Sequence, residues 1–495
     1  GLLMPLGAFK TAMLGAAGSG SGNHFIGWWD KWASNGDYFF NNNSGIAVNS
    51  DGDMAVHASF VYTPGGNKYL PLIVYINNDT TIKWQKMLGT AGSRESTLSR
   101  SGIKFDNDGD VWAVSTGVYN QSGWTTDTGY SNQSPLILQQ YSKTDGTLSN
   151  DRIFYKQTSG GEDNMGTICT IGTNGVWLAY RSSNAGGMQI QAMDPDDITS
   201  QYYANGLTSP NGGSQWFNRG GGYGDNWCAG GVVWRDVGGT TMYRSLICDN
   251  AGSATGFTYQ ILYLSSNQAE ALYPYGIDMD SSGDKYVAFQ TGSLKPGIIA
   301  KISGQTAQSM TISWANYYEG TASTEWVVPN DLVIDSSGNN YTVGYVEATV
   351  DSFTGKHALI MKHNSSGTLQ WTRMITPVHS GTGKQSFIYN CDLTDDEESI
   401  VITGNLADDQ NYSQLMVAKL PADGSGTGDY VTGTNAGTIK YYDGSSYVNT
   451  SSGHTLAVPS TSFTTGSSLS LAGGNTAITV GAPDSDLGTY RTESV

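Results

Sequence analysis

Residues 276–288 read Gly-Ile-Asp-Met-Asp-Ser-Ser-Gly-Asp-Lys-Tyr-Val-Ala, which is a short alternating segment, a glycine-containing turn and a second apolar segment. The same pattern occurs at residues 45–56, 102–114 and 331–343, each with Asp or Asn, two variable residues, Gly and then Asp or Asn at the turn. Alternating apolar residues on both sides of such a turn predict two antiparallel β-strands. The four copies therefore indicate a repeated β-hairpin.

The repeated unit continues beyond the hairpin. A third apolar segment recurs at residues 72–75, 136–139, 298–301 and 359–362. A fourth segment ends in Trp84, Trp314 and Trp371, which follow the turn glycines of their units by 32, 31 and 33 residues. This near-constant spacing predicts a unit of four strands, repeated along the chain.

Weaker copies of the unit complete the series. Unit starts fall near residues 45, 102, 167, 228, 276, 331 and 389. Seven four-stranded sheets that bury their faces by stacking around an axis form a β-propeller. We therefore predict an all-β fold with a propeller of about seven four-stranded blades over residues 41–430. The copy near 228 is the least regular, so six blades with an inserted module is the alternative.

Two segments of different composition flank the repeats. Residues 1–22 lack the basic start of a signal peptide, and we expect them to be retained. Residues 23–40 hold seven Trp, Tyr and Phe side chains, too many for a free tail, so we predict that residues 1–40 form an N-terminal anchoring or closing segment. Short apolar runs in the Gly-, Ser- and Thr-rich residues 431–495 predict a small C-terminal β tail or module.

Composition excludes several classes of protein. The 495 residues include 65 Gly and only 14% charged residues, whereas a typical domain has about 7% Gly and about 25% charged residues. The net charge of −18 disfavours nucleic acid as a partner, because phosphate binding needs clustered Lys and Arg. No apolar stretch is long enough for membrane insertion. The four cysteines lack a C-x-x-C pair, and we favour buried thiols over a Cys228–Cys248 disulfide.

The long connections predict a recognition surface. In a blade, the second-to-third and the blade-to-blade connections share one face, and the long segments 116–134 and 205–227 are assigned to it. Aromatic residues among small polar ones provide rigid contact area with adaptable hydrogen bonding. The candidate residues for binding a ligand or partner are Tyr119, Trp124, Tyr130, Trp216, Phe217, Tyr223 and Trp227. Whether this face binds a ligand or a protein stays open.

No motif indicates catalysis or a metal site. Residues 106–110 resemble the start of a calcium loop, but Trp112 stands where the pattern breaks, so we favour carboxylates that cap their own turns, with calcium as the weaker alternative. The six histidines show no metal-binding spacing, and His57 lies mid-strand, where packing is expected. We predict no catalytic residue, no cofactor and no enzymatic activity. A propeller enzyme such as a lyase, glycosidase or quinoprotein is a third alternative.

Two resemblances concern the family. The Asp-x-x-Gly-Asp/Asn turns resemble the short bacterial β-propeller repeat family, which implies a fold and no activity. The opening Met4-Pro5-Leu6-Gly7-Ala8-Phe9-Lys10, together with the overall layout, resembles structural proteins of tailed bacteriophages from marine hosts.

The bacteriophage resemblance implies a function, a location and partners. It implies a non-enzymatic virion appendage protein, a tail fibre or tip component or a capsid-surface fibre, located outside the cell on the virion surface or tail. Its partners would be other virion proteins or sibling subunits, and a glycan or protein of the host cell surface. The alternative is a secreted or surface-attached bacterial propeller that binds glycans as a lectin does.

Overall fold

The computed structural model of the chain describes most of residues 24–495. The described residues are 24–29, 38–39, 44–62, 68–88, 96–117, 122, 133–155, 162–163, 166–173, 175–182, 187–196, 201–208, 215–237, 239–250, 258–304, 310–322, 324–378, 385–407, 413–432, 437–458, 465–466, 472–474, 480–481 and 490–495.

The strands of the first four blades are β3 (Gly45–Val48), β4 (Met54–Tyr62), β5 (Lys68–Ile76) and β6 (Ile82–Leu88) in blade 1; β7 (Ser96–Phe105), β8 (Val111–Gly117), β10 (Leu136–Tyr141) and β11 (Leu148–Tyr155) in blade 2; β13 (Gly166–Gly172), β14 (Gly175–Ser182), β15 (Gly187–Met193) and β16 (Gln201–Thr208) in blade 3; and β17 (Gln215–Tyr223), β18 (Asn226–Val237), β19 (Thr240–Asp249) and β20 (Thr258–Leu264) in blade 4.

Those of the other three are β21 (Leu272–Met279), β22 (Lys285–Thr291), β23 (Gly297–Ser303) and β24 (Thr311–Gly320) in blade 5; β25 (Val327–Ile334), β26 (Asn340–Val350), β27 (Phe353–His363) and β28 (Leu369–Val378) in blade 6; and β29 (Gln385–Leu393), β30 (Ser399–Ala407), β31 (Ser413–Pro421) and β1 (Phe25–Trp29) in blade 7. Strand β2 (Tyr38–Phe39) also pairs with β4, and the short strands β9 (Gln133–Ser134) and β12 (Glu162–Asp163) pair with each other.

The blades form a closed ring. Within each blade the four strands are antiparallel, and the inner strand of each blade contacts the inner strand of the next, from β3 round to β29 and back to β3. The predictions of an all-β fold and of seven four-stranded blades are confirmed. The six-blade alternative is wrong, because residues 215–264 form a complete blade.

The fourth blade begins earlier than predicted. Its inner strand β17 contains Gly220-Gly221-Gly222, a run that reads as a loop in the sequence. A Cβ atom at Gly220 would lie 2.5 Å from Sγ of Cys169 in blade 3, and one at Gly221 would lie 2.3 Å from the carbonyl oxygen of Ile277 in blade 5. The glycines are therefore strand residues that let neighbouring blades approach, and the loop assignment of residues 215–227 is wrong.

The N-terminal strand closes the ring. β1 pairs with β31, so residues from the two ends of the repeat region share blade 7. Trp28 and Trp29 are each 1% exposed, and they point to opposite sides of the strand. Trp28 packs in the core cluster shared by blades 6 and 7, whereas Trp29 packs in the cluster of blades 7 and 1. This strand therefore joins the last blade to the first.

The C-terminal segment surrounds the ring instead of forming a sheet beside it. After β32 (Gly428–Thr432), seven strands, which we call the belt, each add to the outer edge of one blade in the order 6, 5, 4, 3, 2, 1, 7. They are β33 (Gly437–Asp443), β34 (Val448–Thr450), β35 (Leu456–Ala457), β36 (Thr465–Gly466), β37 (Ala472–Gly474), β38 (Val480–Gly481) and β39 (Tyr490–Ser494), with a 3-10 helix at Ser445–Tyr447. The expectation of a module beside the propeller is thus replaced by a segment that pairs with every blade.

The belt provides hydrogen-bond partners for backbone groups at the outer edges of the blades. An outer strand leaves its outward N–H and C=O groups without partners, and such edges favour association with other chains. The antiparallel belt strands provide those partners, and Tyr317 of blade 5 adds a side-chain contact by accepting a 2.7 Å hydrogen bond from the backbone nitrogen of Leu456. The last belt strand, β39, pairs with β1 and thereby covers the strand that closes the ring.

The repeated tryptophans pack between blades. Each of these Trp rings lies against a left-handed glycine in the turn that follows the third strand of the next blade. The pairs are Trp84 with Gly146, Trp314 with Gly367 and Trp371 with Gly424. A Cβ atom at Gly367 would lie 2.7 Å from the ring of Trp314. The constant Trp spacing of the sequence is therefore a contact between neighbouring blades.

The four cysteines are free and buried, as predicted. Cys228 on β18 pairs with Asp249, and Cys248 on β19 pairs with Ala229. Because successive strand residues point to opposite faces, the two thiols lie on opposite sides of blade 4. Among the described residues, no helix is both long and apolar enough to cross a membrane.

We predict that Gly367→Ala destabilises the protein by about 2–4 kcal/mol, because it adds a ring clash to the strain of a left-handed alanine. Gly239→Ala is the matched control: Gly239 has φ +86, close to the +85 of Gly367, but has nothing within 4 Å of its added Cβ. Urea unfolding should give a loss of about 1 kcal/mol for the control. Equal losses for the two variants would contradict the packing argument.

We also predict that a chain ending at residue 482, which lacks β39, exchanges the amides of Phe25–Trp29 faster than the full chain does. The physical reason is that β1 then becomes an outer edge strand whose opening no longer requires the release of another strand. Hydrogen exchange read by mass spectrometry checks this, with the interior strand β27 as internal control. Unchanged exchange in β1 would show that β39 does not secure the closure.

Candidate functional site

The residues predicted for the recognition surface fall into three groups. Tyr119, Trp124 and Tyr130 lie outside the described residues. Trp216 and Tyr223 lie on the inner strand β17. Phe217 and Trp227 are 3% and 0% exposed in a core cluster of blades 3 and 4, so their assignment to a binding loop is wrong. They are apolar strand residues facing a neighbouring blade, and the glycine run after Phe217 concealed the strand.

The ring has two different faces. The turn face carries the first-to-second and third-to-fourth turns of the blades, such as residues 49–53 and 364–368. The connection face carries the second-to-third turns and the links between blades, such as residues 265–271. Seven aromatic side chains lie towards the connection face in blades 4 to 7, and we call them the aromatic arc. They are Trp234, Tyr243, Tyr273, Tyr275, Tyr345, Phe387 and Tyr389.

One half of the aromatic arc crosses blades 4 and 5. Trp234 and Tyr243 are direct cross-strand partners with ring centroids 4.7 Å apart. Tyr243 lies 6.0 Å from Tyr273 of the next blade, and Tyr273 lies 6.3 Å from Tyr275. All four rings are half-buried. They form a continuous series from the outer part of blade 4 to the inner strand of blade 5.

The other half of the arc crosses blades 6 and 7. The Tyr345 and Phe387 rings are 5.3 Å apart and edge-on, and Phe387 stacks on Tyr389 at 5.9 Å. Nζ of Lys356 lies 5.1 Å from the Tyr345 centroid and 5.7 Å from that of Phe387. This ammonium group is thus engaged by two rings of the arc.

The electrostatics of the arc keep its hydroxyl groups protonated. Burial, followed by the carboxylate of Glu347 and by Tyr275, raises the pKa of Tyr345 to about 12. Burial also raises the pKa of Tyr273, and Tyr275, Tyr243 and the Glu270 carboxylate add to the effect. At neutral pH these phenols therefore remain available as hydrogen-bond donors and acceptors.

Backbone bulges place part of the arc beside the axis of the ring. Five inner strands contain one extra residue at equivalent positions: Cys169, Asn218, Tyr275, Asn330 and Tyr389. A bulge re-aims side chains and leaves a backbone group without its ladder partner. Two of the extra residues belong to the arc, so the bulges help to shape the connection face near the axis.

A buried arginine donates hydrogen bonds to the backbone carbonyl groups at three of these bulges. Arg219 of blade 4 donates through Nε to the carbonyl oxygen of Tyr275 (2.8 Å) and through Nη2 to those of Asn330 (3.3 Å) and Tyr389. Its side chain is 2% exposed, and its Nε lies 3.8 Å from Oδ1 of Asp331. One guanidinium group thereby ties blade 4 to blades 5, 6 and 7 and holds the backbone under the arc.

Further polar groups continue this axial network. Oδ2 of Asp331 accepts hydrogen bonds from Nδ2 of Asn390 and from the backbone nitrogen of Cys391, and Oδ1 of Asn390 accepts one from Ile46 in blade 1 (2.7 Å). Burial alone lowers the pKa of Lys104, but the carboxylates of Asp392, Asp278 and Asp331 outweigh it and raise that pKa. These are structural links between inner strands.

The acidic turns cap themselves, as we favoured. Oδ1 of Asp106 accepts hydrogen bonds from the backbone nitrogens of Asp108 and Asp110, and Asp280 and Asp335 do the same in their turns. Oδ2 of Asp106 accepts a 2.8 Å hydrogen bond from Nε1 of Trp112. A calcium ion would have to replace such bonds. Within the described part of the chain, no three His, Cys, Asp or Glu side chains are grouped to hold a metal ion.

His57 and the acidic residues 395–398 also have structural roles. His57 is fully buried in blade 1, and burial lowers its pKa to about 3, so the packed interpretation is confirmed. In the acidic run 395–398, Glu397 accepts hydrogen bonds from the backbone nitrogen and the hydroxyl group of Ser336, which links the turns of blades 6 and 7.

The aromatic arc was not predicted from the sequence, although part of it is marked there by aromatic pairs at the same position in two repeats. Tyr275 and Tyr273 stand one and three positions before Gly276, and Tyr389 and Phe387 stand one and three positions before the equivalent Asn390. An aromatic pair at the same offset in two repeats indicates a shared place in the fold. Trp234, Tyr243 and Tyr345 have no such offset, because their place depends on pairing across strands.

Comparisons with known proteins give distant structural similarity. No protein-family model matches the chain, and no curated protein matches it in sequence, so neither family resemblance gains support. A periplasmic gluconolactonase of Pseudomonas aeruginosa is 10% identical with a TM-score of 0.43, over 71% of this chain and 95% of its own. An exo-β-1,3-galactanase of Clostridium thermocellum is 9% identical with a TM-score of 0.31, over 84% and 98%.

The parainfluenza virus 5 hemagglutinin-neuraminidase is 7% identical with a TM-score of 0.33, over 81% of this chain and 95% of its own. These similarities assign no activity and no site to the chain.

We predict that Asp331→Asn makes stability less dependent on pH between 4 and 7. Burial, opposed by Arg219, raises the pKa of Asp331 to about 6 from its ordinary 3.8. The folded wild type therefore binds a proton more tightly than the unfolded chain, and this stabilisation, at most about 3 kcal/mol, is present below pH 3.8 and is lost as the pH rises through about 6. Urea unfolding at pH 4, 5.5 and 7 measures it.

Charge effects common to both proteins cancel in the difference between wild type and variant. As the pH rises from 4 to 7, the unfolding free energy of the variant should therefore increase relative to that of the wild type. Parallel curves would contradict a raised pKa at Asp331.

Proposed function

We propose that this protein is a non-enzymatic recognition protein of a virus particle, a tail fibre or tip component or a capsid-surface fibre. Its connection face would contact a glycan or protein of the host surface, or a neighbouring virion subunit. The observation that carries the proposal is the concentration of half-buried Tyr and Trp rings on one face, since such rings provide contact area at low conformational cost.

The path of the chain supports this orientation. Because β1 starts at the turn face of blade 7 and β39 ends there, both flanks of the described chain meet on that face, where the backbone nitrogen of Val495 donates to the carbonyl oxygen of His24 (2.9 Å). The aromatic arc lies on the opposite face. Attachment through either flank would leave the arc free to contact a partner.

The structural bonds of two carboxylates, the buried Glu270 beside the arc and the half-buried Asp278 further along β21, support a role without catalysis. Glu270 accepts hydrogen bonds from the hydroxyl group of Ser293 (2.6 Å) and the backbone nitrogen of Leu294 (3.2 Å). Asp278 accepts bonds from Gly222 and Ile334 in the two neighbouring blades. Acidic groups that hold backbone in this way are committed to structure.

The second candidate is a secreted or surface-attached bacterial propeller that binds glycans, which the same arc favours. Mass spectrometry of density-banded virus particles separates the two, with major capsid peptides in the same band as the positive control. We expect peptides of this protein at several copies per particle. Absence from the particles, with presence in the soluble or cell-surface fraction, would overturn the virion role and favour the bacterial propeller.

A further inference from the structure

We propose that the aromatic arc is a binding site for a neutral saccharide. This inference deepens the recognition role proposed above and rests on it. It specifies the class of ligand and the residues that bind it, which lie in blades 4 to 7.

The exposure of the rings fits a sugar. Trp234, Tyr243, Tyr273, Tyr275 and Tyr345 are half-buried residues, so each is partly accessible to a ligand while its ring also contacts a neighbouring ring. Tyr and Trp combine an apolar body with a polar tip. A pyranose ring likewise has an apolar C–H face and a rim of hydroxyl groups, so stacking and hydrogen bonding can occur together along the arc.

The rigid support below the arc adds to this fit. Arg219 holds the carbonyl oxygens of Tyr275 and Tyr389, and Nδ2 of Asn330 donates to the carbonyl oxygen of Ile388 (2.8 Å). The side chain of Gln290 in turn donates to Oδ1 of Asn330 (3.0 Å). A preformed backbone lowers the entropy lost on binding, which matters for a ligand with few strong contacts.

Charge selects a neutral sugar over an acidic one. The Glu347 carboxylate lies close enough to Tyr345, and the Glu270 carboxylate close enough to Tyr273, to raise the pKa values of those phenols. The ammonium group of Lys356 already lies over Tyr345 and Phe387. With these two carboxylates beside the arc and a net charge of −18 for the whole chain, we expect the arc to bind a neutral sugar in preference to a sialic or uronic acid.

The arc also differs from a protein-binding patch. Protein interfaces have a contiguous apolar core. In the part of the chain that the structure describes, the large apolar side chain that is exposed is Leu369, which lies at the turn-face end of β28. The half-buried rings of the arc, those of Trp234, Tyr243, Tyr273, Tyr275 and Tyr345, instead all end in hydroxyl or indole N–H groups, which suits a hydroxyl-rich ligand.

The test uses the full chain on an array of neutral gluco-, manno- and galacto-oligosaccharides beside sialylated and uronic-acid-containing ones, followed by calorimetry on the strongest binder. We expect saturable binding to at least one neutral series and none to the acidic ones. Tyr243→Ala and Tyr275→Ala should each weaken binding about tenfold, whereas Tyr275→Phe, which keeps the ring, should stay within about threefold of wild type.

Tyr447→Ala is the matched control, because Tyr447 is a half-buried aromatic residue of the belt, 6.2 Å from Tyr442 and outside the arc. Its affinity should equal that of the wild type. Preferential binding of acidic sugars would overturn the assignment to neutral ones, and binding unaffected by the arc substitutions would overturn the site. A failure to bind any sugar, while the protein is still found in particles, would overturn this inference and leave the virion role standing.

Discussion

Every blade of this ring has an outer strand whose outward backbone groups need partners, and one segment of the same chain supplies them in all seven blades. The belt follows the ring in the reverse of the chain order, and its last strand pairs with the N-terminal strand that completes blade 7. Ring closure therefore depends on β1 lying between β31 and β39. Each blade thus has a belt strand on its outer edge, which covers that edge over two residues in blades 1, 3 and 4 and over longer stretches in blades 6 and 7.

The arrangement of strands in the closed ring also determines which turns and links lie on each face. Strands alternate in direction, so the first-to-second and third-to-fourth turns fall on one face, where self-capping carboxylates and the Trp–Gly contacts pack neighbouring blades together. The links between blades fall on the other face, together with the aromatic arc. Arg219 joins these two aspects, because it satisfies the carbonyl groups of bulges that shape the inner part of the arc. The contacts that stabilise the inner strands at the axis therefore also shape the connection face.

Much of the fold could be predicted from sequence, because repeats report the environment that each blade shares. The Asp-x-x-Gly turns mark four of the blades, and the spaced tryptophans mark three contacts between neighbouring blades. The fourth blade was misplaced because Gly220–Gly222 are strand residues selected by the approach of Cys169 and Ile277, which no local pattern reveals. The belt was missed because strands of two residues, such as Thr465–Gly466, are too short for a periodic signal.

Of the seven residues predicted for the recognition surface, Phe217 and Trp227 lie buried on strands, and Tyr223 and Trp227 flank the first-to-second turn of blade 4 on the turn face. Recognition side chains were assigned to loops because loops carry function in many folds. Here the arc of the described residues lies on strand ends, where cross-strand pairing and bulges position the rings. Such positions depend on which strands are neighbours, and a repeat pattern does not give that information for Trp234 or Tyr345.

The most direct measurement is hydrogen exchange of the full chain with and without a mixture of neutral gluco-, manno- and galacto-oligosaccharides. Slower exchange should be confined to peptides covering residues 270–276, 341–347 and 385–391, at the connection face of blades 5 to 7. Peptides of the turn face, such as those covering 49–53 and 364–368, should not change. Protection at the turn face or along the belt, with none at the arc, would contradict the account.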